Sequence, residues 1–214
     1  MEHFDLARML KFLPGIVLGL TVHEFSHAYM ARHCGDDTSE AQGRVTLNPF
    51  KHIDLLGFLM LLIAGFGWAR PVEFNEANLR NPRKDIMKIA AAGPVSNALF
   101  AMFLSVLYLF YGNMTEGNYN NSVRVIREIF LYGIYINWGL FIFNLIPLPP
   151  LDGSHLLLSQ FRKFPNLYDA LYKYGSYIFL GLILLTVFTD LDLFPIGPAM
   201  EFLSRGFLSI IGAS

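Results

Sequence analysis

Charged side chains are scarce in this sequence. Only 15% of its 214 residues are Asp, Glu, Lys or Arg and 54% are hydrophobic, whereas soluble domains usually carry about 25% charge. With a mean hydropathy of +0.43, the chain has too few polar side chains to cover a soluble surface. The composition therefore predicts residence in a membrane. A formal net charge of −1, without a basic patch, gives no reason to expect a nucleic-acid partner.

Cysteine is nearly absent as well. Cys34 is the single cysteine, so an internal disulfide is excluded. It stands beside His33, but one Cys without a second Cys nearby is more typical of an incidental thiol than of a metal ligand.

Long apolar stretches, by contrast, organise the chain. A helix needs about 20 mostly apolar residues to cross a bilayer. The main stretches of this kind are 10–31, 86–111, 129–147 and 174–187. A C-terminal stretch, 196–211, predicts either a final span or an interfacial helix, because Glu201 and Arg205 interrupt it. The sequence thus predicts an all-α integral membrane protein built as a polytopic helix bundle.

The apolar stretch Ile53–Phe66 is shorter than the others, at about 14 residues, and contains glycine. That length suits a re-entrant or buried segment better than a crossing. If it does not cross, eleven of the sixteen basic residues share one side of the membrane. They are Arg32, Arg44, Lys51, Arg70, Arg80, Arg83, Lys84, Lys88, Arg162, Lys163 and Lys173. The positive-inside rule makes that side cytoplasmic, and a crossing would remove most of the bias, so we favour a re-entrant segment.

The following segment, Gly65–Phe74, predicts a small β element. Two glycines and Pro71 make it a poor helix interior. A strand there would offer an edge that could hold an extended peptide. The alternative is an ordinary connecting loop.

The motif His23-Glu24-Phe25-Ser26-His27 lies inside the first apolar stretch. On a helix, histidines four residues apart share one face, at a separation that suits one zinc ion. Glu24 can then reach a water at the metal and take its proton. Ionisable groups within a membrane are costly and usually functional. The alternative, a helix end with solvated polar residues, fits the apolar surroundings poorly.

A catalytic zinc usually has three protein ligands and one open position, so a third ligand must come from elsewhere. The candidates are His33, His52, Asp152 and His155. Asp152 stands out because it follows an apolar span and a run of prolines. Backbone groups left unpaired by proline are tolerated at membrane depth only beside protein or a wet cavity. The alternative role of Asp152 is that of a turn or cap residue before Gly153.

Three motifs in this order resemble the site-2 protease family, which are intramembrane zinc metalloproteases. They are His-Glu-x-x-His at 23–27, Gly93-Pro94-x-x-Asn97, and Asn144-x-x-Pro147-x-x-x-Leu151-Asp152-Gly153. The resemblance covers about residues 10–155. The segment Asn48-Pro-Phe-Lys-His52-Ile-Asp54 resembles the compact bacterial branch of that family, and no segment is long and polar enough to be a PDZ domain.

The resemblance implies a role for each matching residue. The ligands of one zinc ion per chain would be His23, His27 and Asp152. Glu24 would be the general base. Asn144 matches an asparagine proposed to position substrate or to stabilise the oxyanion, for which its carboxamide N–H is suited. Gly93 and Asn97 would be packing residues that let helices approach closely. After the aspartate, many family members have two glycines, whereas this chain has Gly153-Ser154-His155. His155 would be either a hydrogen-bond partner behind the metal ligands or an early helix residue facing water, and we favour the water-facing position.

The resemblance also implies one membrane-embedded domain, 1–214, with a three-helix catalytic core at about 10–155 and further helices at about 156–214. The re-entrant segment and the β element lie between the first two core helices. The expected activity is hydrolysis of peptide bonds within or near transmembrane segments of membrane-protein substrates. Its place would be the lipid bilayer of a bacterial cell membrane, as a multi-pass protein with the active site towards the cytoplasm.

Two other functions are compatible with a membrane chain of this composition. A membrane metal-ion transporter would carry charged residues on several spans, whereas the spans from Tyr174 onward have no matching cluster. A non-catalytic scaffold would most simply have lost a ligand or the base, and here all of them are present. The intact motifs favour the protease.

Overall fold

The computed structural model describes residues 6–64, 67–118, 120–158, 164–189 and 196–212. Its α-helices in these ranges are α1 Leu6–His33, α2 Thr38–Ala41, α3 Leu55–Ala64, α4 Pro82–Met114, α5 Asn121–Asn144, α6 Asp152–Leu158, α7 Pro165–Phe188 and α8 Ile196–Ile210. Two 3₁₀ turns, Pro49–Lys51 and Glu76–Asn78, lie between α2 and α4. The all-helical class predicted from the sequence is confirmed.

The centre of the fold is a bundle in which α1, α4 and α5 pack against one another. Small residues make this approach close: a Cβ added to Gly15 on α1 would lie 2.8 Å from the Cα of Gly133 on α5. Glycine at such a crossing lets two helix backbones come into near contact. An apolar cluster joins α4 and α5 to α8. Its buried members are Ala98, Ala101, Ile134, Trp138 and Leu208.

Two of the described helices, α4 and α5, are long and apolar enough to cross a membrane. The first predicted span corresponds to α1, which at 28 residues has the length of a crossing. The ionisable residues of its His-Glu-x-x-His motif lower its hydropathy. For α1 and for the predicted spans nearer the C-terminus, crossing of the membrane stays a prediction.

The end of α5 falls three residues earlier than the predicted apolar stretch. The helix ends at Asn144, and Pro147 follows shortly after it. Proline cannot donate a helix hydrogen bond and restricts the residue before it, so the helix stops before the proline-rich segment. At the other end, Oδ1 of Asn120 caps α5 by accepting from the backbone N–H of Val123 at 2.9 Å.

The described part of the chain between α1 and α4 contains little β structure. Within the described part, 67–74, regular pairing is limited to one antiparallel bridge between Ala69 and Ile53. The backbone N–H of Arg70 also donates to the carbonyl of His52 at 2.8 Å. Pairing ends there because the next residue, Asp54, caps α3 by accepting from the N–H of Gly57 at 2.8 Å. The predicted β element is thus reduced to a single bridge.

The ten residues of α3 are about half of what a crossing requires. The re-entrant position of this segment remains a prediction. Its end, Gly65 and Phe66, lies outside the described residues, as do Arg162 and Lys163 from the charge count. Where the structure is described, there is no PDZ-like β domain.

Asp36, three residues after the end of α1, links that end of the helix to the segment before α4. Its fully buried carboxylate accepts from Oγ1 of Thr38 at 2.6 Å, from Nδ2 of Asn78 at 2.7 Å and from the N–H of Asn75 at 3.0 Å. Burial alone would raise the pKa of Asp36, but these hydrogen bonds outweigh it and hold the pKa below its usual range.

Candidate metal centre and catalytic cleft

The two histidines of the α1 motif point into the same space. His23 and His27 are both buried, their rings stand nearly perpendicular at 82°, and their Nε2 atoms are 3.0 Å apart. The four-residue spacing on one helix face produces this arrangement.

Hydrogen bonds on the far side of each ring determine which nitrogen carries the proton. Nδ1 of His23 lies 2.7 Å from Oδ1 of Asn97, and Nδ1 of His27 lies 2.7 Å from the carbonyl oxygen of Ile89. Both partners are acceptors, so each Nδ1 must be the donor. In the neutral rings, both Nε2 atoms are then unprotonated, so two acceptor atoms lie only 3.0 Å apart.

Asp152 completes the group from the first residue of α6. Its Oδ2 lies 3.1 Å from Nε2 of His23 and 3.3 Å from Nε2 of His27. Oδ2 is buried and no donor is found for it among the described residues. The turn before Asp152 is tight, since a Cβ at Gly153 would collide with the backbone of Leu145 and Ile146. Glycine is therefore required directly after the aspartate.

These three atoms fit a zinc ion. Three acceptor atoms without a proton between them repel one another, and a cation at their centre removes that repulsion. Bonds of about 2.0–2.1 Å in a tetrahedral site place neighbouring ligand atoms roughly 3.3 Å apart, close to the spacings of 3.0, 3.1 and 3.3 Å. His23, His27 and Asp152 thus form a group that could hold a metal ion. Two imidazoles and a carboxylate are a common catalytic zinc donor set.

Gly93 on α4 forms the wall behind the histidines. A Cβ there would come within 2.7 Å of Nε2 of His23 and closer still to Nε2 of His27. The helix backbone therefore lies directly against the metal-binding atoms, and no larger residue fits. This agrees with the close helix approach implied by the family pattern.

Glu24 shares a cleft of about 270 Å³ with the metal-binding group. Its Oε2 accepts from the backbone N–H of Val72 at 3.1 Å. The extended segment after α3 thus orients the carboxylate. The buried guanidinium of Arg44, which donates to the carbonyl of Arg70, interacts electrostatically with Glu24.

Asn144 also lines this cleft. Its Nδ2 donates to the carbonyl of Leu140 at 3.0 Å, one turn back in α5. This bond engages one of the two amide protons, so the second N–H remains for a group in the cleft.

The other histidines considered as ligands lie apart from the metal-binding group. His52 is buried and bonds the carbonyl of Thr46 through Nε2 at 2.8 Å. Burial and the charge of Arg44 lower the pKa of His52, so its ring is neutral at neutral pH. His155 is exposed at the edge of the cleft, and His33 is exposed at the end of α1.

Sequence reasoning missed two contacts of the site. The family resemblance implies a packing role for Asn97, whereas in the structure its Oδ1 accepts from Nδ1 of His23. The sequence did offer a sign of this role, because Asn97 is a polar residue of a motif within an apolar stretch, where polar groups are usually functional. The bond from Val72 to Glu24 could not be found in the sequence, because the donor is a backbone N–H, which nearly every residue type has.

A second, mostly apolar cavity of about 350 Å³ lies between α1, α3, α5, α8 and residues 67–69. Gly67, Trp68 and Ala69 line it, while Pro71 and Val72 line the catalytic cleft. One extended segment therefore runs past both cavities.

The sequence is similar to a known family of peptidases. The family model described as Peptidase family M50 matches residues 11–129 and 113–186. The Bacillus subtilis protein YwhC is 40% identical over 158 residues, which is 72% of this chain and 71% of YwhC. Rip2 of Mycolicibacterium smegmatis is 27% identical over 66% of this chain and 53% of its own. MJ0611 of Methanocaldococcus jannaschii is 26% identical over 72% and 73%.

The names of all three relatives provisionally describe zinc metalloproteases. No solved structure is significantly similar to this chain.

Proposed function

Because this chain belongs to Peptidase family M50, the site-2 protease family, we propose that it cleaves peptide bonds within or near transmembrane segments of membrane proteins. Family membership makes it a membrane metalloprotease with zinc as its cofactor. The observation that carries the proposal is the convergence of three acceptor atoms, from His23, His27 and Asp152, in one cleft with Glu24.

We assign His23, His27 and Asp152 as the zinc ligands. An ion held by these residues would supply Lewis-acid polarisation of the scissile carbonyl and would make a water molecule nucleophilic near neutral pH. Glu24 takes the proton of the attacking water and passes it to the leaving amine. The bond from the N–H of Val72 engages one oxygen of Glu24, and the carboxylate has a second oxygen for the proton. Asn144 lines the same cleft, and its remaining N–H stabilises the oxyanion.

The substrate lies extended along residues 67–74. This segment passes from the apolar cavity at Trp68 to the catalytic cleft at Val72. A transmembrane helix hides its carbonyls in its own hydrogen bonds, so it must unwind before hydrolysis. The apolar cavity suits the side chains of such a segment, and the backbone of 67–74 offers hydrogen bonds to an extended chain.

Residues 1–214 act as one membrane-embedded domain of a multi-pass protein in the bacterial cell membrane. The cleft opens towards the cytoplasm, because a re-entrant α3 leaves eleven of the sixteen basic residues on one side of the membrane, which the positive-inside rule makes cytoplasmic. Water reaches the site from that side. Proteolysis requires such access, because water is a reactant.

Glu24→Gln tests the function in cells. We compare membrane-derived peptides in cells that produce the wild type, Glu24→Gln or the control Glu40→Gln. Glu40 is an exposed carboxylate that pairs with Arg32 at 3.0 Å, outside the cleft. The proposal expects peptides from transmembrane segments with the wild type and the control, and their loss with Glu24→Gln. Identical peptides from all three would refute it.

A further inference from the structure

Two asparagines are completely enclosed between α1, α4 and α5. Asn97 on α4 and Asn137 on α5 each have 0% of their surface exposed. A buried amide is costly unless its donors and acceptors are paired. The hydrogen-bond partners of each amide atom therefore indicate the role of these two residues.

The amide of Asn97 has one allowed orientation. Its Nδ2 donates both protons, to the carbonyl of Gly19 at 3.0 Å and to Oδ1 of Asn137 at 2.9 Å. Its Oδ1 is the atom that faces Nδ1 of His23 at 2.7 Å. Rotating the amide by 180° would set a carbonyl oxygen against the two acceptors and leave Nδ2 facing Nδ1–H of His23.

The orientation of Asn97 depends in turn on Asn137. Nδ2 of Asn137 donates to the carbonyl of Gly133 at 2.8 Å and approaches that of Gly15 at 3.5 Å. With Nδ2 engaged by these carbonyls, Asn137 can present only Oδ1 to Asn97. Backbone carbonyls can only accept hydrogen bonds. They therefore fix the donor and acceptor atoms in the series that runs from Asn137 through Asn97 to His23.

A glycine creates the space that this arrangement needs. A Cβ on Gly19 would lie 2.7 Å from Oδ1 of Asn137. Any larger residue at Gly19 would push Asn137 away from Asn97. The same glycine supplies the carbonyl that binds Asn97.

We propose that Asn137 is a positioning residue of the metal centre, which acts through Asn97 to hold His23 with its proton on Nδ1 and its Nε2 lone pair towards the metal. Asn137 does not line the catalytic cleft and belongs to none of the three motifs. The proposal rests on the proposed function for one point, the assignment of His23 as a zinc ligand.

Asn137→Leu tests the proposal because leucine has a similar size but no amide. The measurement is the zinc dissociation constant of the full-length protein in detergent, obtained by competition with a chelator. We expect an increase of about 10–100-fold, the usual cost of losing a partner behind a metal ligand. The control is Ser105→Ala. Ser105 is equally buried, but its hydroxyl donates to Ala101 within its own helix.

A double-mutant cycle separates positioning from general packing. If Asn137 acts through Asn97, its replacement should have little further effect on zinc affinity in an Asn97→Ala background. Equal losses in both backgrounds would overturn the proposal, as would wild-type zinc affinity in folded Asn137→Leu. Should Asn137→Leu not fold, Asn137→Ser replaces it, since serine fits the space but cannot reach Asn97.

Nitrogen-15 NMR of histidine-labelled, zinc-loaded protein gives a readout that packing would not change. We expect the His23 proton on Nδ1, exchanging slowly with solvent in the wild type and faster in the Asn137 variants. A rate unchanged by those variants would contradict the proposal. Zinc loss in His23→Ala with none in Asn137→Leu refutes only the positioning role. Full zinc retention in His23→Ala refutes the ligand assignment of the proposed function.

Discussion

Oδ2 of Asp152 lies 3.1 Å from Nε2 of His23, although the two residues are more than a hundred positions apart in the chain. The contact forms because α5 ends at Asn144 and the proline-rich segment returns the chain to the face of α1. The aspartate oxygen and the histidine nitrogen are both acceptors. Their proximity is stable only with a cation, or a proton, between them.

The first prediction concerns the third ligand. Asp152→Ala removes one of three donor atoms, so zinc affinity should fall by more than about 100-fold, beyond the effect of losing an indirect partner. The zinc dissociation constant, obtained by competition with a chelator, measures this. Asp37→Ala is the matched control, because Asp37 is exposed and makes no capping bond with its side chain. An unchanged zinc affinity of the Asp152→Ala variant would show that Asp152 is not a zinc ligand.

The second prediction concerns the wall behind the histidines. In Gly93→Ala the new methyl group collides with both imidazoles, and such overpacking typically costs about 1–3 kcal/mol. We therefore expect zinc affinity to drop by roughly 10–100-fold. Gly206→Ala on α8 is the control, since a Cβ there meets nothing within 4 Å. Equal zinc affinity of the two variants would show that the α4 backbone lies farther from the histidines.

The third prediction is a pH dependence outside the catalytic cleft. Because the pKa of Asp36 is lowered in the folded protein, its contribution to stability is present above the unfolded pKa of about 3.9 and disappears as the pH falls through the folded value. Hydrogen–deuterium exchange of 34–38 and 75–79 should be slow at pH 6 and should accelerate at lower pH.

Asp36→Asn should exchange at least about tenfold faster at pH 6, because bonds to a charged acceptor are among the stronger ones. Its exchange should change less on acidification than that of the wild type, after correction for the intrinsic rate. Asp37→Asn should behave as the wild type. The same acid response in all three proteins would rule out Asp36 as its origin.

The fourth prediction concerns topology. Single cysteines are introduced at Lys51 and Glu76, both exposed, in a Cys34→Ala background. If the segment between them is re-entrant, both cysteines should react with a membrane-impermeant reagent from the cytoplasmic side. Labelling from opposite sides would mean that the segment crosses.

The sequence could predict the metal-binding group because the ability to bind a metal follows from the types of its residues and from their spacing. Two histidines four apart on a helix share a face whatever surrounds them, and the third ligand came from the resemblance to the site-2 protease family. That family membership is now confirmed. The group of His23, His27 and Asp152 appears in the structure as expected.

What the sequence could not predict depends on the packing of helices distant in the chain. Asn137 on α5 meets Asn97 on α4 beside the crossing of α1 and α5, where a Cβ on Gly19 would strike the amide of Asn137. The expected strand failed for a local reason: Asp54 starts α3 directly after the paired Ile53. Glycine and proline content argues against a helix, but it does not say whether a partner strand continues beside the segment.

The most direct test of the central claim is cleavage of a membrane-anchored reporter by the purified protein in liposomes, followed before and after zinc removal. The wild type should lose activity with the chelator and regain it with zinc. Glu24→Gln should bind one zinc per chain and cleave nothing. Cleavage by metal-free protein, or wild-type cleavage by Glu24→Gln, would contradict a zinc protease with Glu24 as its base.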